Sequence, residues 1–96
     1  MNKQADRVLV VDDDPELRAL LRRFLTEHGF ETRAVDGGSS MRRELARHPA
    51  DVIVLDLMMP GEDGLTICRR LRVDGEQIPM ILSIGSPLAV NMMIGI

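Results

Sequence analysis

The sequence predicts an α/β fold in which a doubly wound parallel sheet carries helices on both of its faces. Short apolar runs alternate along the chain with longer segments of helical periodicity, in the order β-α-β-α-β-α-β. The apolar runs lack polar alternation, which is typical of parallel strands that are covered on both faces. The segments between them are long enough to be the crossover helices that parallel strands require.

Four segments have the composition of strands. Residues 7–11 (RVLVV) and 51–55 (DVIVL) are apolar and rich in β-branched side chains, and each of them runs directly into an aspartate. Residues 31–35 (ETRAV) predict a short, half-exposed strand, and residues 78–84 (IPMILSI) predict a last buried strand. The two strands that run into an aspartate are the ones that indicate a functional site.

Three segments between these strands predict helices. Asp14 directly before Pro15 is a helix start signal, because aspartate caps a helix and proline suits its first turn. The residues expected on the buried face of the first helix share helical spacing: Leu17, Leu20, Leu21, Phe24 and Leu25. Ser39 or Ser40 is expected to cap a second helix that runs through His48. The third helix is expected to bury four residues: Leu65, Ile67, Cys68 and Leu71.

The composition excludes several classes of function. The 96 residues predict one small domain, and a net charge of −3 gives no indication of nucleic-acid or membrane binding. The single cysteine, Cys68, excludes an intramolecular disulfide and a cysteine-rich zinc site. The polar N-terminus, and the lack of any apolar run of ~18 residues, predict no membrane span and a cytoplasmic location. The arginines of the first helix, Arg18, Arg22 and Arg23, are expected to form a solvated face.

Three aspartates follow the two apolar strands. Asp12 and Asp13 come after the first strand, and Asp56 comes after the third. A lone aspartate at a strand end is most often a turn or cap residue, and Asp14 is assigned that role. Ligands of a doubly wound sheet bind outside the carboxyl ends of its strands. Three acidic residues at two of these strand ends therefore favour a ligand-binding site over three separate turn or cap residues. Oxygen-only ligands predict Mg²⁺ rather than zinc.

Three motifs stand out: VLVVDDD at residues 8–14, VLDLMMPGEDG at 54–64 and ICRRLR at 67–72. Together they resemble the receiver domains of two-component response regulators, especially the osmolarity regulator OmpR and its relatives. The resemblance implies a flavodoxin-like (CheY-like) fold with strand order 2-1-3-4-5. It also implies a phosphorelay function, in which a sensor histidine kinase donates a phosphoryl group in the presence of Mg²⁺.

The resemblance also implies roles for individual residues. Asp56 would be the phosphoacceptor, and Asp12 and Asp13 would form the acidic pocket that holds Mg²⁺ together with Asp56. Met58 would give its backbone carbonyl to the metal, and Gly64 would serve the turn after the site. On these grounds the chain is expected not to be an enzyme, beyond catalysing its own phosphorylation and dephosphorylation.

The resemblance ends near residue 82, so the flavodoxin-like sheet is expected to be incomplete, without its fifth strand and last helices. Residues 1–84 are assigned as a partial receiver domain and residues 85–96 as a divergent apolar tail, with no DNA-binding domain. The only lysine is Lys3, before the first strand, although the family has a lysine at the end of its fifth strand. The family's switch hydroxyl falls nearest to Ser83, one position early. The tail is expected to take part of the missing space as a strand or helix, or to promote self-association.

Two alternatives remain open from the sequence. The first is a degenerate, truncated receiver that only binds the kinase or a full-length response regulator. The second is a Mg²⁺-dependent enzyme that transfers phosphoryl groups on small molecules, such as the haloacid dehalogenase type. Those enzymes have a second aspartate two residues after the nucleophile, whereas Asp56 is followed by Leu57 and Met58.

Overall fold

A computed structural model describes residues 6–83 and the backbone of residues 93–94. The elements follow the predicted alternation of strands and helices. In chain order they are β1 (Arg7–Val11), α1 (Pro15–Glu27), β2 (Glu31–Val35), α2 (Gly38–Arg47), β3 (Val52–Asp56), α3 (Gly64–Val73), β4 (Met80–Ser83) and β5 (Met93–Ile94).

The strands form one sheet in the order β2-β1-β3-β4-β5. The first four are parallel, which confirms the predicted sheet, and β1 and β3 lie side by side at its centre. The fifth position is occupied by a two-residue strand that runs antiparallel to β4, with Met80 opposite Ile94. Within the described residues the fold is therefore an incomplete flavodoxin-like sheet, and part of the tail pairs with its edge as a short substitute strand.

The core is divided by the sheet into two clusters. On one face α2 and α3 cover the strands, and the buried residues alternate along each strand: Leu9, Val11, Met41, Ile53, Leu55, Met59, Ile67, Cys68, Leu71, Met80 and Leu82. On the other face Val8, Val10 and Val54 pack against Leu21 and Leu25 of α1. Because successive side chains of a strand point to opposite faces, this division explains why the strands are apolar without interruption.

Three residues expected in the core are exposed instead. Leu20 and Phe24 of α1 are 42% and 52% exposed, and Leu65 at the start of α3 is 47% exposed. The predicted apolar stripe of α1 is wider than the part of the helix that contacts the sheet. In the described part of the chain, α1 is the one helix on its face of the sheet, so its outer apolar residues face solvent.

The helix caps confirm one prediction and correct another. The Asp14 carboxylate accepts hydrogen bonds from the backbone N–H groups of Glu16 and Leu17, at 3.0 and 3.3 Å, so it caps α1 as predicted. The prediction that Ser39 or Ser40 caps α2 is wrong, because the capping residue is Gly37. The Ser40 hydroxyl lies in the first turn, where it accepts the Gly37 N–H at 3.2 Å.

Replacing Gly64 with alanine is expected to destabilise the fold. An added Cβ would lie 2.7 Å from the backbone oxygen of Asp56 and 2.9 Å from Cα of Leu57, both of which are backbone atoms. Such overpacking costs about 1–3 kcal/mol. Gly37→Ala is the matched control, since a Cβ there meets nothing within 4 Å. Urea unfolding measures both variants, and equal unfolding midpoints would contradict the close approach.

We expect the chain to self-associate through the β4 edge of the sheet. Among the described residues, β5 pairs with this edge at two positions, opposite Met80 and Ile81. Apolar sheet edges pair readily with other chains, and the exposed Leu20 and Phe24 add apolar surface on the α1 face. Light scattering over a concentration series measures this directly. A stable monomer at the highest concentration would contradict the expectation.

Candidate functional site

The three predicted aspartates come together at the carboxyl ends of β1 and β3. Asp12 follows β1 and Asp56 is the last residue of β3, and the pairing of Val11 with Leu55 brings these ends side by side. One oxygen of Asp12, one of Asp13 and one of Asp56 all lie within 4.8 Å of one another. Asp12 is 1% exposed and Asp56 is 4% exposed, whereas Asp13 is exposed. The site is thus two buried carboxylates beside one that is open to solvent.

Backbone N–H groups hold each of the buried carboxylates. The N–H of Asp14 donates to Oδ1 of Asp12 at 2.9 Å, and the N–H of Met58 donates to Oδ1 of Asp56 at 3.0 Å. In both cases the donor is two residues further along the chain, in the turn that follows the strand. Each carboxylate therefore has one oxygen held by the backbone, and each contributes an oxygen to the cluster.

Burial and like charge raise the pKa of Asp12 to about 6. Loss of water around the carboxylate is the main cause, and the charges of Asp56, Asp13 and Asp14 add to it. The hydrogen bond from the Asp14 N–H acts in the opposite direction. The charged form of Asp12 is thus disfavoured in the absence of a cation, and a divalent ion beside it would remove that penalty.

The donor set fits a hard divalent cation. All three side chains offer oxygen, their ligand atoms are close enough to share one ion, and Asp13 leaves the site open to water. Mg²⁺ prefers a few carboxylates together with several waters, which this arrangement allows. Protein zinc sites usually include histidine or cysteine ligands, and no histidine or cysteine belongs to the cluster within the described residues.

The structure also locates Met58 and Ser83. The Met58 side chain is 72% exposed, and its backbone N–H faces the Asp56 carboxylate. Ser83 is buried at 1% exposure, it lies opposite Asp56 in the β3–β4 register, and its carbonyl accepts the Leu57 N–H at 2.8 Å. A metal-binding carbonyl of Met58 and a switch hydroxyl of Ser83 stay predictions. Lys3 lies outside the described residues.

Sequence reasoning missed two residues that contact this region. The guanidinium of Arg18, predicted to be solvated, is half-buried and donates from Nη1 to the backbone oxygen of Asp12 at 2.8 Å. Glu62, in the loop between β3 and α3, accepts hydrogen bonds from Arg42 of α2 at 3.3 Å and from Arg70 of α3 at 3.4 Å. The signal in the sequence that could have indicated the contact of Arg18 is its position about one helical turn after the aspartates that follow β1. No local pattern indicates the contacts of Glu62.

A cavity of about 500 Å³ lies apart from the carboxylates. It is lined by residues of α2 and α3 and of the turn that follows: Arg42, Arg69, Arg70, Leu71, Val73 and Asp74. None of the three clustered aspartates lines it. The carboxylate cluster and this cavity are therefore separate features of the described surface.

The chain matches a family model described as the response regulator receiver domain over residues 8–87. It is 41% identical over 76 residues to the response regulator MprA of Mycobacterium leprae, which covers 79% of this chain and 33% of that protein. It is 34% identical over 96 residues to the DNA-binding response regulator MtrA of Mycolicibacterium smegmatis, which covers the whole chain and 42% of that protein. The chain thus spans about a third of the length of the curated relatives that it matches.

Solved structures show the same fold. A response regulator receiver protein from Pseudomonas putida has a TM-score of 0.80 at 27% identity, covering 85% of this chain and 69% of that chain. A complex of the histidine kinase ThkA with the response regulator protein TrrA has a TM-score of 0.75 at 32% identity, covering 83% and 69%. In the described part of the chain, no helix is both long and apolar enough to cross a bilayer.

Replacing Asp13 with alanine is expected to abolish the stabilisation that Mg²⁺ gives to the fold. Mg²⁺ at ten times its dissociation constant should raise the free energy of unfolding by about 1.4 kcal/mol. Asp14→Ala is the matched control, because it should keep this response while it loses about 1 kcal/mol from the α1 cap. Thermal unfolding with and without Mg²⁺ measures both effects. Equal responses to Mg²⁺ in the two variants would contradict the assignment of Asp13.

Proposed function

The chain belongs to the response regulator receiver domain family, and we propose on this basis that Asp56 accepts a phosphoryl group from a phosphohistidine of a sensor histidine kinase. The observation that carries the proposal is the burial of Asp56 at the carboxyl end of β3, with oxygens of Asp12 and Asp13 within 4.8 Å. The receiver family has a phosphoacceptor role in two-component systems, and its members are generally not enzymes. Self-catalysed phosphorylation and dephosphorylation belong to the proposal.

The contacts of Asp56 suit the role of a nucleophile. The Met58 N–H holds Oδ1, so Oδ2 is the oxygen that attacks the phosphorus. A bond forms between Oδ2 and phosphorus while the bond from phosphorus to the imidazole nitrogen breaks, and its electron pair stays on that nitrogen. Nucleophile and phosphoryl group are both anionic, so the site must balance negative charge.

Asp12 and Asp13 are the residues that would hold Mg²⁺ beside Asp56, with the backbone carbonyl of Met58 as a further ligand. The bound ion would neutralise part of the charge on the phosphoryl oxygens. The burial of Asp12 fixes its position, and the exposure of Asp13 leaves an entrance for water and for the donor. Ser83, next to Asp56 on β4, is proposed as the hydroxyl that responds to phosphorylation.

The proposed partner is a sensor histidine kinase, in agreement with the solved complex of ThkA with TrrA. Relatives such as MtrA are DNA-binding response regulators, and a contribution to transcription regulation in the cytoplasm is proposed for the protein on that basis. The alternative is a degenerate receiver that binds partners without being phosphorylated. A direct test of phosphorylation distinguishes it from the proposed phosphoacceptor. The small-molecule enzyme is disfavoured, because the family match accounts for the aspartates.

Acetyl phosphate with Mg²⁺ is expected to add one phosphoryl group to the protein, and Asp56→Asn is expected to abolish the addition. Intact-mass spectrometry measures it over time. The reaction should be slow, because one charge-neutralising contact at a transferring phosphoryl group contributes a few kcal/mol and the described residues 6–83 contain no lysine.

Asp63→Asn is the matched control for this experiment. Asp63 caps α3 through a 2.9 Å hydrogen bond from the Thr66 N–H and is not a member of the carboxylate cluster. This variant should be phosphorylated like the unaltered chain. Phosphorylation that persists in Asp56→Asn would show that another residue is the acceptor. No phosphorylation of the unaltered chain would favour the degenerate receiver.

A further inference from the structure

The backbone carbonyl of Asp12 belongs to the peptide group that joins two of the proposed Mg²⁺ ligands, Asp12 and Asp13. This group is planar, so the direction of its carbonyl sets the plane that contains both Cα atoms. Asp12 is 1% exposed, and a backbone carbonyl in a buried residue requires a hydrogen-bond donor. The donor to this carbonyl therefore helps to set how the two acids are arranged.

The backbone of the neighbouring strand does not supply this donor. The last hydrogen bond between the backbones that continue β1 and β2 runs from the Asp12 N–H to the carbonyl of Val35, at 3.1 Å. In a regular parallel pair the next donor would be the N–H of Gly37, two residues after Val35. The Gly37 N–H instead donates to the Ser40 hydroxyl at 3.2 Å. Within residues 6–83, the pairing thus ends before the Asp12 carbonyl receives a backbone partner.

Arg18 supplies the hydrogen bond that the backbone does not. Its Nη1 donates to the Asp12 carbonyl at 2.8 Å, and its side chain is half-buried. A hydrogen bond from a guanidinium is charge-assisted, which makes it stronger than the neutral backbone bond that it replaces. The pKa of Asp36, which follows β2, is lowered first by a hydrogen bond from Ser40 and further by the charge of Arg18. Arg18 thus acts on the β2 side of β1, whereas Asp56 lies on the β3 side.

We propose that Arg18 is a positioning residue for the Mg²⁺ site, because it holds the peptide group between Asp12 and Asp13 in place. The proposal rests on the metal-assisted function proposed for Asp56. Arg18 does not bind the ion or the phosphoryl group, and it acts on the two carboxylates only through the Asp12 carbonyl. Replacement of groups that orient metal ligands lowers metal affinity by about 10–100-fold.

The direction of the change in Mg²⁺ affinity separates positioning from simple electrostatics. Arg18 is a cation near a site for a cation, so loss of its charge alone should leave the Mg²⁺ affinity unchanged or increase it. Loss of its hydrogen bond should lower the affinity, because the peptide group between Asp12 and Asp13 could then rotate. A lower affinity therefore indicates that the site depends on the hydrogen bond.

Titration calorimetry with Mg²⁺, at a temperature where every variant is folded, measures this change. Arg18→Met keeps a long side chain without a donor, and it should weaken Mg²⁺ binding by about tenfold. Arg18→Lys keeps a donor for the carbonyl and should restore part of the affinity. Arg22→Met is the matched control, since it removes a charge from an exposed position one turn later on α1. It should bind Mg²⁺ at least as tightly as the unaltered chain.

Asp14→Ala separates positioning from a general loss of stability. This variant loses the side chain that caps α1 but keeps the N–H that holds Oδ1 of Asp12. It should unfold at a lower urea concentration and still bind Mg²⁺ like the unaltered chain. Equal Mg²⁺ affinities of Arg18→Met and the unaltered chain would overturn the proposal. A loss of affinity that Arg22→Met shares would overturn it as well, because the effect would not depend on the contact with Asp12.

A second measurement needs no metal. The N–H of Asp13 belongs to the same peptide group as the Asp12 carbonyl, so its amide resonance reports on the hydrogen bond from Arg18. In the metal-free chain, Arg18→Met should shift this resonance and Arg22→Met should leave it unchanged. An unshifted resonance in Arg18→Met would overturn the positioning role alone. Failure of the unaltered chain to bind Mg²⁺ would overturn the metal site and the positioning role with it, so the two failures are distinguishable.

Discussion

Electrostatic repulsion among carboxylates at the ends of β1 and β3 is the constraint on which the other features of the site depend. Two of the acids are buried, and the pKa of Asp12 is raised first by burial and further by the charges of Asp56, Asp13 and Asp14. The turns that follow the strands offset part of this cost, since each directs a backbone N–H at a carboxylate oxygen. The cap of α1, the close approach of Gly64 to the end of β3 and the contact of Arg18 all serve to build these two turns.

The fold and most of the site could be predicted because they depend on local patterns. Uninterrupted apolar strands require helices on both faces, and an aspartate directly after such a strand must lie at the edge where ligands bind. The positions of Asp12, Asp13 and Asp56 follow from these two rules, and the cap at Asp14 follows from the proline beside it. The family resemblance then indicated the chemistry, which spacing alone left open between metal binding and structural roles.

The features that escaped prediction depend on tertiary contacts. Leu20 and Phe24 have the periodicity of buried residues, but burial requires a neighbouring element, which helical spacing cannot indicate. The spacing of residues along α1 also does not indicate the direction of the Arg18 side chain, since a charged residue on an amphipathic helix is most often solvated. At α2, Gly37 is the capping residue directly before the helix. Ser40 lies in the first turn, where its hydroxyl accepts a hydrogen bond from the Gly37 N–H and donates one to the Asp36 carboxylate.

The two contacts of Glu62 imply that ionic strength influences how firmly the loop after Asp56 is held. This carboxylate joins the loop after Asp56 to α2 through Arg42 and to α3 through Arg70. Both arginines are largely exposed, so each ion pair contributes about 1 kcal/mol or less and weakens as salt is added. At low salt the two ion pairs would hold the loop more firmly against α2 and α3. In concentrated salt the loop would gain motion of its own, while the buried register of β1 and β3 would stay unchanged.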